Sequence, residues 1–368
     1  MIYMDYNATT PIDKRVADAV QPYLYQVFGN PSSNHEAGRL AKEAVEKARE
    51  QVALLLNSSP KEIIFTSGGS ESNNTVIKGT AYSYKNKGNH IITSQIEHPA
   101  VLAPCRFLES NGYEVTYLPV DEYGMVSVRD VENAITGKTI LITIMHSNNE
   151  TGTIQPIEEI GRITREHNVL FHTDASQSVG KVPIDVNKLN LDFLTVAGHK
   201  LYAPKGVGAL YMRSGINIEP LIHGAGHEAG RRAGTENIVL NVALGKACEL
   251  AKEAIDSSTI EELTQYFYNK LSEIFGDKIK LNGHPAIKLP NTLNISFLGL
   301  NGYEIIEKLG DAALSTGSAC HSGSVSISPV LDAMGIPFEI ARGAVRFSFG
   351  RYTTKEELDA VLYKLQQL

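Results

Sequence analysis

The feature that most constrains this chain is a series of short apolar runs, at 62–66, 90–94, 113–118, 139–144, 169–173, 192–196 and 207–212, each rich in Ile, Val or Leu. Runs this compact suit strands buried on both faces. Helical spacing separates several of them, at 72–84, 100–111, 126–135 and 157–167, and longer helical patterns precede the series at 13–27 and 36–56. Alternation of this kind predicts an α/β fold, with a mostly parallel seven-stranded sheet between helices. A further helical pattern covers 236–255, and after a polar turn the runs near 278–281, 291–297 and 344–349 alternate with helices. We read these as a large domain at 1–255 and a smaller α+β domain at 256–368, with residues 1–12 packed on the small one. A chain of 368 residues has room for both cores.

Composition narrows the function classes. Apolar residues make up 42% and charged residues 20%, an ordinary globular balance. No stretch approaches the roughly 18 apolar residues of a bilayer span, and the start lacks a basic region followed by an apolar run, so a cytoplasmic protein is expected. With 34 basic and 41 acidic residues the net charge is -7, and the basic residues are scattered, which argues against nucleic acid as a partner. Cys105, Cys248 and Cys320 stand too far apart for a C-x-x-C pair, so no disulfide framework and no metal site are expected.

In an open α/β sheet, ligands gather at the carboxyl ends of strands, and those ends are where this sequence turns polar. After the first run comes Thr66-Ser67-Gly68-Gly69-Ser70-Glu71-Ser72-Asn73, a glycine-rich turn feeding a helix, whose free N–H groups and dipole suit a phosphate. Taken alone it is a weak signal and reads first as an ordinary helix cap. It is no P-loop, and Gly224 to Gly230 does not fit G-x-G-x-x-G. Other run ends supply His146 to Gly152, then His172-Thr173-Asp174-Ala175-Ser176-Gln177, then Ala197-Gly198-His199-Lys200. A phosphate cup, an Asp and a Lys at the strand ends of one sheet make the kit for pyridoxal 5'-phosphate: Lys200 for its aldehyde, Asp174 to keep its ring nitrogen protonated. His98, in Glu97-His98-Pro99, reads either as a group stacked on the ring or as a helix cap.

Cys320 sits in Ser315-Thr316-Gly317-Ser318-Ala319-Cys320-His321-Ser322-Gly323, where small residues offer no apolar wall and His321 offers a neighbouring cation. That setting favours a reactive thiol. Cys105 and Cys248 fall within helical apolar patterns and read as core.

The segments MDYNATTP, NPSSNHEAGR, FTSGGSESNN, EHPAV, NNETGT, HTDASQSVGK, GHKLYAPKGVGALY, RRAGTEN, GSACHSG and VRFSFGR together resemble the cysteine desulfurases. These are fold-type I pyridoxal-phosphate-dependent homodimers related to class-V aminotransferases, which split L-cysteine into L-alanine and enzyme-bound sulfur. The resemblance implies Lys200 as the cofactor lysine, Asp174 on the ring nitrogen and His98 on the ring face. It further implies Gln177 and Asn149 near the ring hydroxyl and substrate, and a phosphate held by Gly69, Ser70, His199 and the partner subunit's Thr235. Arg346 would take the substrate carboxylate, with Asn149 and His35 also toward the substrate, and Cys320 would collect the sulfur and pass it to a protein acceptor, for iron-sulfur or thio-cofactor assembly. His321 is expected to lower the Cys320 pKa.

FLTVAGHKLYAPKGVGALY, ACHS and SPVLDAMGIPFEIARGAVRFSFGR are also similar to selenocysteine lyases, which makes L-selenocysteine an alternative substrate. An aminotransferase would leave Cys320 idle, and a non-catalytic scaffold would not need these residues. One departure concerns the cofactor: family members often carry Ser where this chain has Ala197, so a phosphate hydroxyl is missing unless Thr195 or a water replaces it.

Overall fold

The computed structural model describes residues 1–255, 257–316 and 327–368. In chain order its elements are β1 (Ile2–Tyr3), α1 (Lys14–Tyr25), α2 (Glu36–Leu56), β2 (Ile63–Thr66), α3 (Gly69–Ser83), β3 (His90–Ser94), α4 (Pro99–Glu109), β4 (Glu114–Leu118), α5 (Val128–Ala134), β5 (Thr139–Thr143), α6 (Ile157–Glu166), β6 (Leu170–Asp174), β7 (Phe193–Ala197) and β8 (Gly208–Met212). There follow α7 (Ile238–Ala254), α8 (Thr259–Phe275), β9 (Ile279–Asn282), β10 (Thr292–Phe297), α9 (Gly302–Leu309), β11 (Ala312–Ala313), α10 (Pro329–Ala333), α11 (Phe338–Ala341), β12 (Ala344–Ser348) and α12 (Lys355–Leu365).

Seven strands form one sheet in the order β2-β8-β7-β6-β5-β3-β4. The pairs from β7 through β6, β5 and β3 to β4 are parallel, and β8 runs antiparallel to both its neighbours. All strands but β8 therefore point the same way, and the turns after them collect along one edge. The apolar runs make this arrangement stable because every residue of β2, β3, β5, β7 and β8 is buried. One face packs Phe171, Leu194, Val196 and Tyr211 with Ala41, Val45, Ala48 and Val52 of α2 and Ala243, Leu244 and Ala247 of α7. The other packs Ile91, Leu141, Phe193 and Leu210 with Val76 and Ile77 of α3 and Val101, Cys105 and Leu108 of α4. At about 25 cal/mol per Å² of apolar surface removed from water, this two-sided burial is the main stabilising term.

The second sheet is antiparallel, β12-β10-β9, and its core of Leu293, Ile295, Phe297, Val345 and Phe347 packs with α8, α9 and α12. The amino terminus joins this region: β1 pairs with β11, Met4 is fully buried in the same core, and Asp5 bridges to Ser348. Residues 5–10 then cross back toward the large sheet, where Thr10 meets the His199 carbonyl through both its N–H and its hydroxyl at 2.9 Å.

Candidate active site

Five of the aligned strand ends converge on one cavity of about 350 Å³. Its lining includes Gly69 and Ser70 after β2, His98 after β3, Met145, Ser147 and Asn149 after β5, Asp174, Ser176 and Gln177 at β6, and Ala197, His199 and Lys200 at β7, with Ala8 of the crossing segment and Asn73 of α3.

At one end the start of α3 is laid bare. Gly68 holds φ at 145°, a conformation L side chains rarely adopt, and no side chain caps the helix. The leading N–H groups of a helix have no intrahelical acceptor, and here they border the cavity, which makes an anion cradle. A Cβ added at Gly69 would lie 3.1 Å from Ser176 Oγ and 3.6 Å from Ala197 Cβ, so glycine keeps this cradle open. His199 stands beside it with Nδ1 at 3.2 Å from Thr9 Oγ1. Burial, then the Lys200 and Lys205 charges, push the His199 imidazole down to about 4, so it is neutral at pH 7. The Thr195 hydroxyl does not make good the missing one at Ala197: it sits 3.1 Å from His172 Nε2, inside the sheet.

Farther in, Asp174 is held from two sides. One carboxylate oxygen accepts the Ser176 N–H at 2.9 Å, and the other accepts from Asn73 Nδ2 at 2.7 Å. The Asn73 carbonyl oxygen is buried and has no partner among the described residues, so a donor is wanted at this spot. His98 is the helix cap, its Nδ1 accepting the Ala100 N–H of α4 at 3.1 Å, and it also lines the cavity. Burial lowers its pKa.

The third side is the crossing segment. Lys200 Nζ donates to the Asn7 carbonyl and, at 2.7 Å, to the Ala8 carbonyl. Burial and the nearby Arg346 charge bring this amine down from 10.5 to about 8. Arg346 donates to the Asn149 carbonyl at 2.9 Å and pairs with Asp5 at 2.6 Å, and its Nε has no partner among the described residues. Lys181 is half-buried and donates to Asn7 Oδ1 and Gln177 Oε1, both at 3.1 Å. Its pKa falls well below the ordinary lysine value, first through burial and then through the Lys200 and Arg346 charges. Gln177 Nε2 in turn donates to the Asn7 carbonyl at 2.9 Å.

The sequence reading missed Asn7, Asp5, Lys181, Asn73 and Ser176. All lie within its quoted segments, but all except Ser176 have partners distant in the chain, as with Asn7 and Thr292, which bond at 2.9 Å. Three predicted residues stay outside the cavity lining within one chain, one of them Arg346, whose guanidinium is held by the Asn149 carbonyl and Asp5. Thr235 borders a separate hollow with Arg232 and Asn237, and the exposed His35 caps α2, its Nδ1 accepting the Gly38 N–H at 3.3 Å. Cys320 and His321 fall outside the described residues. The described chain on either side of them is tied to the site: Ser315 accepts the Arg346 N–H at 2.7 Å, and the Ser328 hydroxyl donates to Glu150. Cys105 and Cys248 are buried, with thiols pushed up to about 12 by burial, which suits core residues and not nucleophiles. Among the described residues no cluster of His, Cys, Asp and Glu could hold a metal ion, and no helix is long and apolar enough to cross a membrane.

The arrangement fits pyridoxal phosphate on its own chemistry: a cradle of free N–H groups with an obligatory gap at Gly69, a positioned carboxylate, and a lysine amine near neutrality. Comparison with known proteins agrees. The family model for aminotransferase class-V matches residues 2–361. The chain is 48% identical to the cysteine desulfurase IscS of Dictyoglomus turgidum, covering 100% of this chain and 94% of the relative. It is 51% identical to the IscS of Methanosarcina thermophila, covering 98% and 90%. Among solved structures it is similar to a NifS-like protein with a TM-score of 0.93 and 39% identity over 100% of this chain and 98% of that one. It is also similar to SspA in complex with cysteine, with a TM-score of 0.86 and 41% identity over 96% and 100%. Fold, site and relatives agree, and the chain belongs to the class-V aminotransferase family and, within it, to the pyridoxal-phosphate-dependent cysteine desulfurases.

Proposed function

We propose that the cavity at Lys200 is the active site in which this enzyme removes sulfur from L-cysteine, and that Cys320 receives the sulfur. The observation that carries the reading is one cavity in which a lysine amine near neutrality, a doubly held Asp174 and an uncapped helix start meet. Pyridoxal phosphate, when bound, supplies an electron sink that makes the substrate Cα acidic and the Cβ–S bond breakable. The phosphate belongs at the Gly69 and Ser70 end beside His199, with the partner subunit's Thr235 completing the cup.

Asp174 belongs at the ring nitrogen. Its orientation is fixed by Ser176 and Asn73, so its charge is in place beforehand. The neutral His98 ring offers a flat face against the cofactor. Lys200, its amine lowered to about 8 and so half uncharged near pH 8, can take the substrate Cα proton and later return one to carbon. Arg346 presents the guanidinium for the substrate carboxylate, a planar fork matched to two oxygens. Asn149, whose carbonyl Arg346 holds, lines the cavity and links the guanidinium to it.

At the sulfur end, the Cys320 thiolate attacks the substrate sulfur: an S–S bond forms, the C–S bond breaks, and the carbon product becomes alanine by gaining a proton. The sulfane sulfur then passes from Cys320 to a protein acceptor, and iron-sulfur assembly fits the IscS relatives. The test is alanine release from L-cysteine by the holoenzyme. Lys200→Ala and Cys320→Ala should each abolish it. Unchanged alanine release in Cys320→Ala would remove that residue from the chemistry.

A further inference from the structure

Ala197 leaves the phosphate end of the cavity without a hydroxyl on the β7 side, and the Thr195 hydroxyl is committed to His172. Another hydroxyl lies at the same spot. Ser176 Oγ and Ala197 Cβ are the two side-chain atoms nearest to the point where a Gly69 Cβ would stand, at 3.1 and 3.6 Å. Ser176 lines the cavity, and its backbone N–H is spent on Asp174 at 2.9 Å, which pins the residue in place. Its hydroxyl has no hydrogen-bond partner among the described residues, although it is only half-buried in the cavity wall.

We infer that Ser176 Oγ donates to the cofactor phosphate and replaces the hydroxyl that position 197 does not provide. This rests on the assignment of the cavity to pyridoxal phosphate and deepens it. The uncapped start of α3 supplies N–H groups, and Ser176 supplies a hydroxyl donor beside Gly69 from the turn after β6, so the anion is held by two elements rather than by the helix alone. Because the same turn holds Asp174, one short segment sets both the ring-nitrogen carboxylate and a phosphate contact. Its spacing then fixes how the cofactor lies between them.

The experiment uses the full-length protein stripped of cofactor and titrated with pyridoxal 5'-phosphate and, separately, with pyridoxal, which lacks the phosphate. The readout is the visible absorption that bound aldehyde produces. A hydrogen bond to a charged group predicts that Ser176→Ala weakens pyridoxal phosphate binding by roughly ten- to a hundred-fold while changing pyridoxal binding by less than about two-fold. Ala197→Ser added to Ser176→Ala should restore most of the loss, whereas Ala197→Ser alone should gain little. Equal weakening toward both aldehydes, no weakening, or failure of Ala197→Ser to rescue would overturn the assignment of Ser176. If the unsubstituted protein bound neither aldehyde at Lys200, the cofactor reading itself would fail, which is a distinguishable result. Ser176→Thr, which retains a hydroxyl, should stay near the parent affinity and so guards against a merely structural loss in the alanine variant.

Discussion

The two walls of the cavity are built differently. The sheet wall, with Gly69, Asp174, Ser176, His199 and Lys200, comes from turns that directly follow strands, and its chemistry is contained in segments of a few residues. The strap wall comes from residues 5–8, held by Arg346, Lys181, Gln177, Thr292 and Ser348 from separate parts of the chain. The first places reactive groups, and the second holds the first in register with the small antiparallel sheet. Substitutions in the sheet wall should therefore damage chemistry with little loss of fold, and substitutions in the strap should do the reverse.

The largest separation is expected at Asp174. Asp174→Asn keeps the shape and most hydrogen-bonding capacity but removes the charge, and kcat for alanine release should fall about a hundred- to a thousand-fold, with the melting temperature shifting by only a few degrees. A loss of stability as large as the loss of rate would erase the contrast. At the strap, Asn7→Ala removes the side chain that bonds Thr292 at 2.9 Å and meets Lys181 and Asn291 at 3.1 Å. Each of those groups keeps one other partner, in Asn291, Gln177 and the Phe349 carbonyl, so losing the Asn7 bonds should cost about 2 kcal/mol in denaturant unfolding, with the smaller effect on kcat.

A weaker effect sharpens the same contrast through pH. Lys200 has its amine lowered from 10.5 to about 8, so its neutral fraction grows as pH rises through 8. Uptake of pyridoxal phosphate by the stripped protein should then rise to half its maximum near pH 8, not near 10.5. An Arg346→Gln variant removes a neighbouring positive charge and should move that midpoint upward. A midpoint unmoved by Arg346→Gln would mean that strap and sheet walls do not communicate electrostatically.

The smallest expected effect lies just beneath the site. Glu97 is buried, accepting from Ser94 Oγ at 2.8 Å and from the Met145 N–H at 2.7 Å, and burial pushes its carboxyl up from 4.5 to about 8. Between those values the folded protein holds a proton that the unfolded chain releases, so stability falls as pH rises from about 4.5 to 8. Glu97→Gln should flatten that slope by at most about 1.4 kcal/mol per pH unit, seen as a smaller change in melting temperature between pH 5 and pH 8. An identical slope in the variant would place the proton elsewhere.

The same division explains what was legible in the sequence. The seven runs located the strands to within a residue or two, because burial on both faces leaves an uninterrupted apolar signal. The turn residues Gly69, Asp174 and Lys200 could be picked out because a strand end followed by small polar residues is a local pattern. Asp5, Asn7 and Lys181 carry no such signal. A lysine held among polar partners and a solvated one look the same in sequence, and Lys181 is recognisable only once Asn7 and Gln177 are placed around it. Thr195 shows the opposite error: two residues before Ala197 on the same strand face it suggested a substitute hydroxyl, yet its methyl group is what faces Gly69 while its hydroxyl meets His172.

The most direct measurement of the account is a single turnover of holoenzyme with L-cysteine in the absence of any acceptor, followed by mass analysis of the peptide that contains residue 320. The account predicts alanine and sulfur in equal amounts, with one added sulfur atom on Cys320. Alanine formed while that peptide remains unmodified, or a keto acid formed in place of alanine, would contradict it.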